Sequence, residues 1–371
     1  MLADDPRLAE AKARPIEEIV HLLGIQRLKR SGHELIGPCP QCGGTDRFGV
    51  NLRKGLFQCR VCGIAGDGIR LVMVDRGLDF KAALTWLCGE PDGITEAERR
   101  ARVEKAREAL RLAEAKANRL RARAIVAARA IWEQGQPPGG TAVEAYLARR
   151  AIDFGPLGGI PPTIRFHPAL RYTVQDGGNR HRVIHEGPAM LCAIQRPDGR
   201  FSGVHRTWLD LDWPKGKAVI TDPATGKPME SKKVLGSKKG GSIRLTHRRE
   251  APVLVMGEGV ETTASAWVAD PASGAMFWAG VDLGNMAGRQ LRVPGQRHSG
   301  LPDMEDAEAF LPPPGVTRLV YVMDGDSDPK ATRAKLEAGL RRAMLARPGL
   351  RGQIAAAPGG KDLNDVLMGV E

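Results

Sequence analysis

Apolar residues at Ile16, Ile19, Val20, Leu22 and Leu23 recur at helical spacing and predict a short helix over Pro15–Gly24. His33–Gly37, Arg47–Asn51 and Leu56–Cys59 read as strands of one antiparallel sheet, and Gly66-Asp67-Gly68 then opens a helix through Val74. Asp79–Leu87 predicts another helix, with Phe80, Ala83, Leu84 and Leu87 on one packed face. From Ala97 to Ile131 the chain has 12 Ala and neither Gly nor Pro, which predicts one helix of roughly 50 Å. Its apolar positions (Val103, Leu110, Leu112, Leu120, Ile125) keep no heptad, so it reads as a semi-rigid tether rather than a coiled coil.

After the break at Pro137-Pro138 a helix is predicted over Thr141–Arg149, then mixed short strands such as Ala189–Gln195 and Gly203–Leu209. From Ala251 the pattern alternates. Strand Pro252–Met256, helix Glu261–Ala269, strands Ala275–Ala279 and Arg318–Met323, helix Lys330–Ala346 and strand Gln353–Ala357 follow one another as in a parallel α/β sheet. The expected class is therefore an α+β multidomain protein. No apolar run approaches the roughly 18 residues of a membrane span, and the charged stretch before Pro15 does not read as an export signal, so a cytoplasmic location away from membranes is expected.

Charge changes the picture more than bulk composition does. The 371 residues carry a formal +12, yet Ala97–Ile131 has 11 Lys/Arg against 4 Asp/Glu and Pro214–Arg249 has 10 against 2. These two runs more than account for the excess. A solvated Lys/Arg face is the plain alternative for either one, but two runs flanking the motifs below favour a polyanion bound at defined places.

Four of the six cysteines form Cys39-x2-Cys42 and Cys59-x2-Cys62, separated by sixteen residues. Each turn sets two thiolates about a tetrahedral edge apart, and the gap suits a β-hairpin, so Zn²⁺ is expected in place of disulfides. Cys88 and Cys192 read as buried small hydrophobes.

The third chemical feature is acidic. Glu258 follows one predicted strand in Gly257-Glu258-Gly259; Asp324-Gly325-Asp326 follows another, with Asp328 beyond; Asp362 and Asp365 lie past a third. In open α/β sheets the carboxyl ends of parallel strands meet at one crevice, and carboxylates gathered there are neutralised by divalent cations such as Mg²⁺. Taken singly, each of these acids is an ordinary turn or solvated residue. The Asp324 segment is no EF-hand, because Pro329 replaces the required Gly and Lys335 the bidentate Glu. Nor is there a P-loop: the Gly-Lys pairs at Gly216, Gly226 and Gly360 are followed by Ala218, Pro228 and Asp362.

With these residues in view, the chain resembles bacterial-type DNA primases, in a compact form found on phages and mobile elements. Residues Ile16–Leu87 are similar to the primase zinc domain through Gly37-Pro38-Cys39-Pro40-x-Cys42, Arg47-Phe48-x-Val50, Phe57-x-Cys59-x-x-Cys62-Gly63 and Gly66-Asp67. Cellular relatives commonly have His where Cys42 stands. The part from Ala251 resembles the Toprim domain: Glu258-Gly259 matches its first motif, Asp324-x-Asp326 its second and Lys361-Asp362 the third acidic position, with Asn364 where a further acid can occur. Tyr146-Leu147-x-x-Arg150-x-Ile152, Gly203-x-His205-Arg206 and Lys233-Val234-Leu235-Gly236-Ser237 with Lys239-Gly240 look like the basic lobe of the primase core.

The resemblance implies a zinc module over 1–92, a helical linker over 93–135, a basic lobe over 136–250 and a Toprim catalytic domain over 251–371. It implies primer synthesis on single-stranded DNA by metal-dependent nucleotidyl transfer, with Mg²⁺ or Mn²⁺ on Glu258, Asp324, Asp326 and Asp362, and with Glu258 as a candidate general base. Arg206, Lys233 and Lys239 are then the candidates for template and nucleoside triphosphate phosphates. Phe48 and Phe57 read as module core, with base stacking as the alternative. Two other readings stand beside the primase: a non-catalytic zinc/Toprim DNA clamp like the recombination mediators, and a Toprim nuclease. A covalent topoisomerase is disfavoured, since of Tyr146, Tyr172 and Tyr321 the last falls inside a strand. With the sequence ending six residues after Asp365, a separate replicative helicase or initiator is the expected partner.

Overall fold

The computed structural model describes residues 5–89, 96–176, 180–246, 248, 250–291, 293, 296, 298–323, 325, 328–356 and 362–369. The chain divides into two compact units, one running to Arg119 and the other from Leu120.

In the first unit, α1 (Pro6–Ala13) and α2 (Ile16–Leu22) precede five short strands: β1 (Lys29–Ser31), β2 (Glu34–Cys39), β3 (Gly43–Asn51), β4 (Leu56–Cys59) and β5 (Ala65–Gly66). They pair in sequence order as an antiparallel meander. Helices α3 (Gly68–Arg76) and α4 (Phe80–Cys88) follow, each started by an aspartate: Asp67 accepts from the Arg70 amide and Asp79 from the Ala82 amide. The core joins Ile19, Phe48, Val50, Phe57, Leu71 and Leu84, all essentially inaccessible. Phe48 and Phe57 are thus core residues, with ring centroids 5.7 Å apart. Helix α1 lies outside the sequence expectation because it carries little apolar signal. Asp5 caps it, and the buried Arg7 guanidinium bonds Asp5, Thr85 Oγ1 and the Gly89 carbonyl.

Helix α5 (Glu96–Gln134) is the predicted long helix, a few residues longer at its end. From Leu120 it belongs to the second unit, where Ala128 is fully buried, Arg129 covers the Phe201 ring and Trp132 lies under Arg165. That end is packed, which an absent heptad does not reveal.

The second unit continues with α6 (Ala142–Arg149), β6 (Ile164–Asp176), β7 (Arg180–Gln195), β8 (Phe201–Trp208), a small pair β9 (Ile220–Thr221) and β10 (Pro228–Met229), and β11 (Lys232–Gly236). Four of these form an antiparallel sheet in the order β11-β8-β7-β6. The long β6–β7 hairpin escaped the sequence reading because the outer half of β7, Arg180–Glu186, is polar and mostly exposed, with no alternating apolar face.

The second sheet has the order β12-β14-β13-β15-β16. Its strands are β12 (Ile243–Arg244), β13 (Val253–Gly257), β14 (Met276–Ala279), β15 (Arg318–Met323) and β16 (Arg351–Ala356), interleaved with α7 (Val260–Ala269), α8 (Leu283–Ala287), α9 (Pro329–Ala346) and the closing α10 (Leu363–Leu367). The last four strands are mutually parallel, as expected, and β12 joins the edge antiparallel. The two sheets share one core, in which Val143, Tyr146, Met190, Cys192 and Ile194 pack with Val260, Ala264 and Phe277.

Candidate functional site

The four cysteines are brought together by the β2–β3 turn and the end of β4. Cys39 Sγ lies 3.7 Å from Cys62 Sγ and Cys42 Sγ 3.6 Å from Cys59 Sγ, and all four sulfurs fall within 4.8 Å of one another. A tetrahedral zinc with Zn–S bonds of about 2.3 Å needs S···S edges of about 3.8 Å, so the set fits Zn²⁺ without rearrangement. Burial would raise the Cys59 thiol, but donation from the Cys62 and Val61 amides lowers it to about 6, while burial pushes the Cys39 thiol up to about 12. A ligated dication reverses the Cys39 shift, because it ionises the thiols that bind it. The Val61 amide donates to Cys59 Sγ at 3.4 Å and Arg47 Nη1 stands 4.0 Å from Cys42 Sγ, so donors already face the sulfur charge.

At the carboxyl edge of the parallel sheet, Gly257 is the strand partner of Ala279 on one side and Val322 on the other, so β13, β14 and β15 end level. Glu258 follows directly, at the start of α7. Its loop is held by one side chain: the Thr263 hydroxyl accepts from the Gly257 amide at 3.1 Å and donates to the Gly259 carbonyl at 2.8 Å, bracketing Glu258. A Cβ on Gly257 would meet Thr263 Oγ1 at 2.8 Å, and that close approach of strand and helix is why glycine stands there. The expected Asp324 and Asp326 lie outside the described residues, as does Lys361. Asp362 caps α10 by accepting from the Asn364 amide at 3.0 Å. Asn364 is fully buried and turned inward, donating to the Arg150 carbonyl at 2.7 Å and Ser265 Oγ at 2.9 Å, which fastens α10 to α7.

Three residues after Glu258 the structure holds a feature the sequence reading missed. Glu261, 4% exposed, accepts from Tyr146 Oη at 2.6 Å and pairs with Lys217 Nζ at 2.9 Å and Lys232 Nζ at 3.3 Å. Burial alone would raise this carboxyl, but Lys232, Lys217 and the Tyr146 hydroxyl together hold it well below the usual carboxylate range. Burial and the neighbouring Lys232 lower the adjacent His205 to about 4, so that imidazole is neutral at pH 7. No sequence signal marks the network, whose members are scattered over Tyr146, Lys217, Lys232 and Glu261 and meet only through the shared core.

The three expected phosphate contacts separate into two places. Arg206 and Lys233 are cross-strand partners on β8 and β11, on the sheet face opposite Lys232. Arg206 is 7% exposed with its guanidinium 5.4 Å from the Trp208 ring; Lys233 Nζ donates to the Thr173 carbonyl at 2.8 Å and sits 4.4 Å from the Tyr172 ring. Burial lowers Arg206 to about 10. Lys239 is exposed and paired with Glu308, beside the Lys238–Asp282 pair. Its loop is clamped by Asn285, which accepts from the Gly240 amide and donates to the carbonyls of Gly241 and Gly280, at the same strand-end edge as Glu258.

Comparison with known proteins gives two family matches. Residues 10–102 match the CHC2 zinc finger, which identifies the amino-terminal cysteine module as the zinc ribbon expected there, and residues 122–245 match a domain of unknown function, DUF7146. Solved structures similar to the chain are bacterial and phage primases. The zinc-binding and RNA polymerase domains of the Aquifex aeolicus primase align over 99% of this chain and 83% of that one, at 14% identity and a TM-score of 0.36. The E. coli primase catalytic core aligns over 62% and 70%, at 13% identity and a TM-score of 0.35. The primase fragment of the bacteriophage T7 primase-helicase protein aligns over 91% and 96%, at 12% identity and a TM-score of 0.32. No described helix is long and apolar enough to cross a membrane.

Proposed function

We propose that the chain is a DNA primase that joins nucleotides on a single-stranded DNA template. The observation that carries this is the coupling, in one chain, of a CHC2 zinc finger to a parallel sheet whose neighbouring strands β13 and β15 end level, with Glu258 immediately after the first and Asp324-x-Asp326 next in sequence after the second. A parallel sheet with acids beyond the carboxyl ends of β13, β15 and β16 is the arrangement the Toprim reading requires.

In this reading Glu258, Asp324, Asp326 and Asp362 hold Mg²⁺ or Mn²⁺, which draws negative charge off the reacting phosphates. The protein's own contribution is placement. Thr263 fixes the loop that carries Glu258, Asp362 is fixed at the start of α10, and Asn364 ties that helix to α7. Arg206, Lys233 and Lys239 supply cations for template and triphosphate, and the zinc ribbon adds a second contact to the template. A replicative helicase or initiator delivers the single strand.

The test is synthesis. Purified protein, single-stranded templates of varied sequence, labelled nucleoside triphosphates and Mg²⁺ should yield new short oligonucleotides. DNA binding without products would leave the mediator-like clamp, and template degradation would indicate a Toprim nuclease.

A further inference from the structure

Of the six tryptophans, five are buried or half-buried and one, Trp213, stays 48% exposed. It lies at the tip of the loop between β8 and β9. An exposed indole on a mobile loop would mean little, but this loop is pinned. The Trp213 amide donates to the Asp210 carbonyl, the Gly216 amide to the Trp213 carbonyl and the Asp210 amide to the Gly216 carbonyl, closing two successive turns across the Leu209–Lys217 bridge. Asp210 turns one carboxylate oxygen inward onto the Asp212 amide at 3.1 Å. Arg149 donates to the Leu211 carbonyl from outside the loop. At its base Gly216, with φ of +67°, lies so close that a Cβ would meet the Tyr146 ring at 2.8 Å.

Among the described residues no ring stacks on the Trp213 indole and no carboxylate pairs with Lys215, which is exposed two positions later. The next cation, Lys217, ends the loop in the buried bridge to Glu261, on the helix that begins two residues after Glu258. A rigid, open aromatic face with an unpaired cation beside it matches one chemistry closely: an unpaired nucleobase followed by its phosphate. The loop itself balances Asp210 and Asp212 against Lys215 and Lys217, and the chain that follows is basic, with 10 Lys/Arg against 2 Asp/Glu in Pro214–Arg249. A protein partner would be expected to cover a wider apolar patch than one indole between exposed Asp212, Pro214 and Lys215.

We propose that Trp213 is a stacking platform for a base of single-stranded nucleic acid, with Lys215 taking the adjoining phosphate. This rests on the nucleic-acid reading of the same unit and adds to it a contact that none of the acidic or basic candidates supplies. Stacking tolerates any base, so the platform would hold a template without selecting its sequence.

The test is equilibrium binding of the full-length protein to a labelled oligothymidylate and to an abasic strand of equal length, across a salt series. Trp213→Ala should weaken oligothymidylate binding roughly tenfold and leave its salt slope unchanged, since no charge is removed. Trp213→Phe should keep most of the affinity, and on the abasic strand wild type and Trp213→Ala should bind alike. Lys215→Ala should instead reduce the slope by about one counterion unit. Equal oligothymidylate affinity for wild type and Trp213→Ala, or an equal loss on both strands, overturns the platform while leaving primer synthesis untouched. A wild type that binds neither strand overturns the functional reading and the platform together.

Discussion

Cys59 ends β4 against the Phe48–Phe57 core, and its sulfur stands 3.6 Å from that of Cys42. Metal, strand and core are therefore one cooperative object, so Cys59→Ser should drop bound zinc from one per chain to none by elemental analysis and melt the first unit, seen as lost near-UV dichroism. Thr263 poses a different single-atom question. Thr263→Val keeps the volume but leaves the buried Gly257 amide without an acceptor, which costs about 1–3 kcal/mol and frees the Glu258 loop. Denaturant unfolding gives the first effect, and a fall in kcat with template affinity unchanged gives the second. Glu261 makes the pH prediction. Its folded carboxyl titrates well below its unfolded value, so its stabilisation is complete above the unfolded range, near pH ~4.3, and is lost as pH falls through the folded value. Glu261→Gln should flatten the acid limb of stability against pH. At neutral pH it should cost about 3–5 kcal/mol, because Lys217 and Lys232 lose their shared counter-charge.

At the scale of elements, the proposed chemistry rests on the strand ends. Glu258→Gln changes only charge at the end of β13, and the Thr263 bracket does not depend on that charge, so primer synthesis should collapse while template binding and the melting temperature hold. Full activity in that variant would remove Glu258 from the chemistry. Why these elements could be foreseen differs from one to the next. β15, Arg318–Met323, was legible to the residue because it is a short apolar run bounded by turn residues, and the parallel alternation of β13, α7, β14, β15, α9 and β16 follows from the same period. The zinc set was legible because its spacing is local. The outer β6–β7 hairpin and α1 were not, since one is a polar ribbon and the other is held by Arg7 contacts to residues about eighty positions away. The Glu261 network failed for the same reason at larger range: four polar residues of no common motif become one site only when two sheets share a core.

For the whole molecule, primer synthesis would require a zinc ribbon within residues 10–102 to take part in chemistry at the strand end that carries Glu258. The two compact units are joined through α5, whose carboxyl end is packed into the second unit at Ala128. If the second unit is catalytic, a ribbon tethered through α5 would reach it at an effective concentration set by the connecting segment, and a neighbouring copy on the same template could present its own ribbon at a comparable one. The two routes separate cleanly in a mixture. On the primase proposal, protein carrying Glu258→Gln would keep a working ribbon but no chemistry, and protein lacking residues 1–92 would keep the chemistry and no ribbon. If ribbons act between copies, mixing the two should restore primer synthesis, steeply dependent on total concentration and abolished when the first partner also carries Cys59→Ser. If each ribbon serves its own chain, the mixture stays as inactive as its parts while wild-type protein remains active at high dilution.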